Sequence, residues 1–190
     1  MLRLVDQAHW AEGWLHQLTG RPPRPAAADD LDTIAFLLGE VLADWSQGAA
    51  EAVAQNRANG HPAPTTAEIT RSLTRAVLSM ADDEAFAPLA RYLRPYRELR
   101  VPIVPEGKGR YGRLDVVIWL PGGPDIVVEI DSAPNPASAQ KLTFARDAGA
   151  YPLWVRFGKG SIEKIDGVTV LDLREAVHSV RDAQPGAGAS

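Results

Sequence analysis

GRLDVVIWLPGGPDIVVEID at residues 112–131, followed by KLTFARDAGAYPLWVRFG at 141–158, is the stretch on which the fold of this chain turns. Its apolar residues gather in short, β-branched bursts bounded by proline and glycine, the pattern of buried strands rather than of amphipathic helices. LDVVIWL (114–120) and DIVVEI (125–130) are separated only by PGGP (121–124), so they read as a hairpin. YPLWVRF (151–157) follows after a gap long enough for a helix, expected over Ala137–Ala148 with Asn135 or Ser138 as its cap. Downstream, VTVLDL (168–173) reads as one more strand and Arg174–Val180 as a closing helix, with a small polar tail, 183–190, expected to be disordered. Upstream, LRVPIV (99–104) is the first strand; a short helix capped by Asp82 or Asp83 should precede it and end at Pro95.

Further towards the N-terminus the period changes to that of helices. Thr65 and Glu68 form a capping box ahead of Ile69, Leu73, Val77 and Met80. NRANGHPAPTT, 56–66, is a linker by composition. Before it, a helix beginning near Asp29 or Asp30 carries Leu31, Ile34, Leu38, Val41 and Trp45 on one stripe, with Gly48 as its weak point. A first helix carries Leu4, Ala8, Ala11, Leu15 and Leu18, and RPPRP at 21–25 ends it. The expected organisation is an N-terminal helical region, 1–60, an α/β domain with a central mixed sheet, 61–182, and the tail.

Composition narrows the chemistry. The chain has 190 residues, a net charge of −4 and no cysteine, which excludes disulfides, thiolate zinc sites and cysteine nucleophiles, and fits a reducing cytoplasm. No apolar run reaches the length of a bilayer span, and the charged start lacks a signal peptide's apolar stretch, so a soluble protein away from membranes is expected. Charge is uneven: residues 69–113 carry nine basic against five acidic residues, while residues 1–68 carry four against nine. A basic stretch inside an acidic chain suits an anionic partner, and a solvated helix face is the plainer alternative.

Asp115 and Glu129 are acids within otherwise apolar strands, and hairpin pairing brings them to one sheet edge. Seen separately, each is most simply a strand end in solvent. Seen together, two half-buried carboxylates repel unless a divalent cation or a basic group neutralises them. Oxygen donors without cysteine or paired histidines suit Mg²⁺ or Mn²⁺. Asp131, two residues on, is a possible third ligand. Lys141 falls in the first turns of the following helix, where an ammonium can face the acidic pair and support phosphodiester hydrolysis. Lys108, Arg110 and Arg113, with Tyr111 for stacking, lie in a glycine-containing loop, EGKGRYGR, that leads to Asp115 and suits a nucleic-acid backbone. Arg156 and Lys159 extend that track, while Arg91, Arg94, Arg97 and Arg100 recur every three residues near Pro95. GKGS at 158–161 lacks the spacing of a phosphate-binding loop, and the four histidines show no metal-ligand pattern.

GRLDVVIWLPGGPDIVVEID followed by KLTFARDAGAYPLWVRFG resembles the core of the PD-(D/E)XK nuclease superfamily, over about residues 84–158. The resemblance implies a restriction-endonuclease-like αβββαβ core, preceded here by the N-terminal helices. It also implies a metal held by Asp115, Glu129 and the backbone carbonyl of Ile130. The family's lysine stands two residues after the second acid; Asp131 occupies that place here, so the resemblance implies a lysine migrated to the helix, Lys141. The implied activity is metal-dependent cleavage of phosphodiester bonds, of DNA before RNA, with a homodimer or a protein partner engaged through the N-terminal helices. Two other readings stay open: a degenerate nuclease-fold module that binds nucleic acid or a protein without cutting, and a helical interaction factor whose tryptophans, Trp10, Trp14 and Trp45, make its contacts.

Overall fold

The computed structural model describes residues 28–79, 94–102, 111–119, 125–162 and 164–183. Helix α1 spans Ala28–Ala58 and α2 spans Thr66–Ser79. Strands β1 (Arg94–Pro102), β2 (Tyr111–Trp119) and β3 (Ile126–Asp131) follow, then helix α3 (Pro136–Asp147), strands β4 (Tyr151–Arg156) and β5 (Thr169–Asp172), and helix α4 (Arg174–Asp182). The five strands lie side by side in chain order. β1, β2 and β3 pair antiparallel, as tight connections allow, whereas β3, β4 and β5 pair parallel. The result is a mixed α/β fold on a mixed sheet, with the described elements in the order anticipated from the strand bursts.

Alternation along the strands separates two apolar layers. One face of the sheet, with Val116, Ile118, Ile126, Val128, Ile130, Leu153 and Val155, packs on Leu38, Val41 and Leu42 of α1, Ile69, Leu73 and Val77 of α2 and Val177 of α4. The other, with Val117, Val127 and Trp154, packs on Leu142, Ala145 and Ala148 at α3. Parallel strands covered by helices on both faces explain why β3 and β4 read as unbroken apolar runs. The boundary at residue 60 does not divide the core, because α1 contributes fully buried leucines to the same layer as the sheet. Trp45 packs at the margin of that layer and donates from Nε1 to the Ser72 hydroxyl at 2.8 Å. Arg57 donates to the carbonyls of Arg181 and Ala183, tying the end of α1 to the end of α4.

Several expected boundaries move. α1 runs through Gly48 without a break over 31 residues, since helix neighbours on both sides outweigh the modest cost of one glycine. The capping box forms as read: Glu68 accepts from the Thr65 amide at 2.7 Å and the Thr65 hydroxyl accepts from the Glu68 amide at 3.3 Å. β1 begins at Arg94, five residues before the expected 99, so Arg94, Arg97 and Arg100 belong to a strand. Pro95 is compatible with it because β1 lies at the edge of the sheet, and Pro102 because it is the last residue of the strand. β2 begins at Tyr111 rather than 114, pulled into register by β1: Pro102 pairs with Tyr111 and Arg100 with Arg113. The first expected helix, the helix after Asp82 and the tail from residue 184 lie outside the described residues. Among the described residues no helix is long and apolar enough to cross a membrane.

Candidate active site

The regular β2–β3 ladder runs from Ile118 opposite Ile126 to Val116 opposite Val128 and there stops. The next two residues are Asp115 and Glu129. Their carboxylates take over the hydrogen bonding that the ladder relinquishes. Asp115 Oδ2 accepts from the Ile130 amide at 2.8 Å, and Glu129 Oε1 accepts from the Asp115 amide at 3.3 Å. Asp115 is the fifth residue of a nine-residue strand rather than the second of a strand beginning at 114, a correction that follows from the earlier start of β2. The N–H and C=O of one strand residue project to the same side, so the Ile130 carbonyl also lies on the β2 side, beside Asp115.

Glu129 is almost wholly enclosed, at 1% exposure, and Lys141 is 8% exposed. The Lys141 ammonium forms an ion pair with Glu129 Oε2 and donates to the Arg113 carbonyl at 2.7 Å. Ser138, one helical turn earlier on the same face of α3, donates to the same Oε2 at 2.9 Å. Burial raises the Glu129 carboxyl from its ordinary 4.5 to about 7; Asp115 adds to the rise, and Lys141 and Ser138 oppose it. Two carboxyl groups and one ammonium thus meet at this pocket.

α3 owes its place to its first residues. Asn135 is the N-cap: its side chain accepts from the Ala137 amide at 3.1 Å, and Pro136 occupies the first helical position, where no donor is needed. Asn135 Nδ2 in turn donates to Asp131 Oδ1 at 3.0 Å, and Trp154 Nε1 donates to Asp131 Oδ2 at 2.9 Å. Asp131 is thus held between β4 and the helix cap, and it does not join Asp115 and Glu129 as a third ligand. No group of three or more acids or histidines able to hold a metal occurs among the described residues.

The expected phosphate track is only partly brought to this edge. Arg113 is exposed, two residues before Asp115, but it and Tyr111 belong to β2 rather than to a loop. Lys108 and Arg110 lie outside the described residues. Lys159 is exposed in the turn after β4. Arg156 is a correction: it is fully buried, its guanidinium carbon sits 5.0 Å from the centre of the Trp154 ring, and burial lowers its pKa. Its three guanidinium nitrogens have no hydrogen-bond partner. Alternation placed Arg156 with the strand, but its one apolar neighbour on that face, Trp154, gave no sign that the side chain would be covered.

Two residues escaped the sequence reading. Ser138 was taken only as a possible cap, although its spacing of three from Lys141 already put both on one helix face. Glu98 lies between the pairs Arg97–Val116 and Leu99–Leu114, which sets it at the register position across from Asp115. A strand expected to begin at residue 99 left it out by one residue.

Comparisons with protein-family models, with curated proteins and with solved structures return no match to this chain.

Proposed function

We propose that this chain is a metal-dependent nuclease that hydrolyses phosphodiester bonds, of DNA before RNA, with Asp115, Glu129 and Lys141 as its working centre. The observation that carries the reading is the meeting of Asp115 and Glu129 where the β2–β3 ladder ends, with the ammonium of Lys141 delivered to Glu129 from α3. The resemblance to the PD-(D/E)XK core, with a lysine migrated to the helix, implies the same three residues and supports this reading.

The donor set suits a small divalent cation. Asp115, Glu129 and the Ile130 carbonyl offer hard oxygen donors, two of them carboxylates. Mg²⁺ or Mn²⁺ is commonly held by one or two carboxylates with water and substrate phosphate filling the remaining positions, an arrangement that this pair of carboxylates suits. When bound, such a cation supplies Lewis-acid polarisation of the phosphoryl oxygen and a lowered pKa for an attacking water. The chain's own residues do the rest. Lys141 keeps a fixed positive charge beside the acidic pair, where negative charge develops on the phosphate in the transition state. Ser138 and the Asp115 amide hold the Glu129 carboxylate in one orientation without reorganisation. Glu129, with its carboxyl raised to about 7, gives up a proton on taking a cation near neutral pH, so affinity for the cation should rise with pH. Of the basic residues expected along a phosphate track, Arg113 and Lys159 are described and exposed.

A second reading has its own observation. Lys141 closes on Glu129, and Asp131 is occupied by Trp154 and Asn135, which leaves an internally satisfied centre of the kind a non-cutting nucleic-acid-binding module would keep. The deciding experiment is cleavage of labelled single- and double-stranded DNA and RNA with Mg²⁺, Mn²⁺ or EDTA, by the wild type and by Glu129→Ala. Metal-dependent cutting lost in the variant supports the nuclease. Binding without cutting supports the module. Neither binding nor cutting removes both.

A further inference from the structure

We infer that Asp131 is a positioning residue, which sets Lys141 against Glu129 by holding the cap of α3; the inference rests on the reading of Asp115, Glu129 and Lys141 as the working centre. Asp131 is the last residue of β3 and pairs in register with Arg156 of β4, so its backbone is fixed by the parallel half of the sheet. Its side chain is fixed as well. One carboxylate oxygen accepts from Trp154 Nε1 at 2.9 Å, and the Trp154 ring is buried to 1% exposure. The other accepts from Asn135 Nδ2 at 3.0 Å. Asn135 spends its other side-chain atom on the helix, accepting from the Ala137 amide, while its backbone carbonyl takes the Ala139 amide at 3.0 Å. The cap of α3 is thus tied to the end of β3 by a side-chain hydrogen bond, in addition to the bonds that Ser138 and Lys141 make to Glu129.

That setting matters because both α3 residues at the centre depend on it. Ser138 and Lys141 reach one oxygen of Glu129, and a helix turns about 100° per residue, so rotation by a fraction of that angle takes both away. The segment between β3 and α3 has little other freedom. At Gly158 a Cβ atom would stand 1.9 Å from the Ser132 carbonyl oxygen, so the turn after β4 lies directly against this segment. The residue standing where the family pattern has its lysine is used here to aim the helix that carries the lysine instead.

The test exchanges donor and acceptor. Asn135→Asp keeps a cap acceptor but sets two carboxylates against each other, while Asp131→Asn with Asn135→Asp restores the bond in the reverse sense, with the new amide donating to the new carboxylate and its oxygen still accepting from Trp154. Asn135→Ser serves as a milder variant, because serine caps the helix but has no amide to offer Asp131. Lys141 placement is read by acylation of the native protein with an N-hydroxysuccinimide ester and peptide mass spectrometry, normalised to the exposed Lys159 and Lys164. The expected result is Lys141 labelling raised roughly fivefold in Asn135→Asp and Asn135→Ser and returned to within roughly twofold of wild type in the double variant, the scale of one helix-cap interaction. Unchanged labelling in Asn135→Ser, or a double variant no better than Asn135→Asp, overturns the inference. Cleavage plays no part in this readout, so a wild type that fails to cut would remove the nuclease reading and leave the labelling result standing.

Discussion

Replacing Lys141 with methionine removes the only basic side chain bonded to Glu129 among the described residues, and its cost should depend on pH in a way the structure fixes. In the wild type the Glu129 carboxyl is raised from 4.5 to about 7 by burial first and by Asp115 second. Between those values the native state holds a proton that the unfolded state has released, so wild-type stability falls as pH rises from about 4.5 to 7, and this contribution is constant above 7. Without the ammonium, which opposes the rise, the carboxyl goes higher still, and the variant keeps its proton where the wild type has lost it. Each pH unit over which only the variant is protonated adds about 1.4 kcal/mol to the difference in stability. Below pH 7 both native states are protonated, and the substitution costs only the hydrogen bonds to Arg113 and Glu129, about 1–3 kcal/mol. Between pH 7 and 8.5 the penalty should therefore grow by about 2 kcal/mol, up to the point where the variant's own carboxyl ionises. Urea unfolding followed by tryptophan fluorescence at pH 6, 7, 8 and 8.5 measures it, with Glu129→Gln/Lys141→Met as the control in which the growth disappears. A penalty constant across this range would refute the reasoning, because it would mean that Glu129 is not the group whose charge Lys141 balances.

Arg156→Met should raise stability by about 1 kcal/mol, because a buried guanidinium that finds no hydrogen-bond partner among the described residues is replaced by a side chain that needs none; a loss of stability in urea would show that Asp131, Asp172 and the Trp154 ring offset the burial of the charge. Gly158→Ala should destabilise by about 2 kcal/mol or more, since its Cβ would stand 1.9 Å from the Ser132 carbonyl oxygen and one of two backbone segments must move; a melting temperature equal to wild type would contradict that contact.

What could be read beforehand follows from which interactions are local. The hairpin of β2 and β3 and the entry to α3 are set by neighbours in sequence: PGGP, the β-branched runs, and Asn135 before Pro136. Asp115, Glu129 and Lys141 were legible together for that reason, because one turn and one helix cap bring them to the same place. The start of β1 was not, since Arg94–Glu98 carries no apolar alternation and becomes a strand only through pairing with β2. Asp131 and Arg156 were misread for a related reason. The partner that decides the role of Asp131 is Trp154, 23 residues away on the neighbouring strand, and no spacing within either segment encodes that bond. Likewise, whether an arginine at the end of a strand faces water depends on what lies over it, which periodicity does not specify.

The change of pairing sense at β3 bears on how the protein assembles. β2 and β3 are joined by a short turn and can pair in the microseconds typical of a hairpin, whereas β3 and β4 must wait for α3 to form and cross over. Asp115 and Glu129 can therefore meet before Lys141 arrives, so that their repulsion falls on the route to the native state as well as on the native state itself.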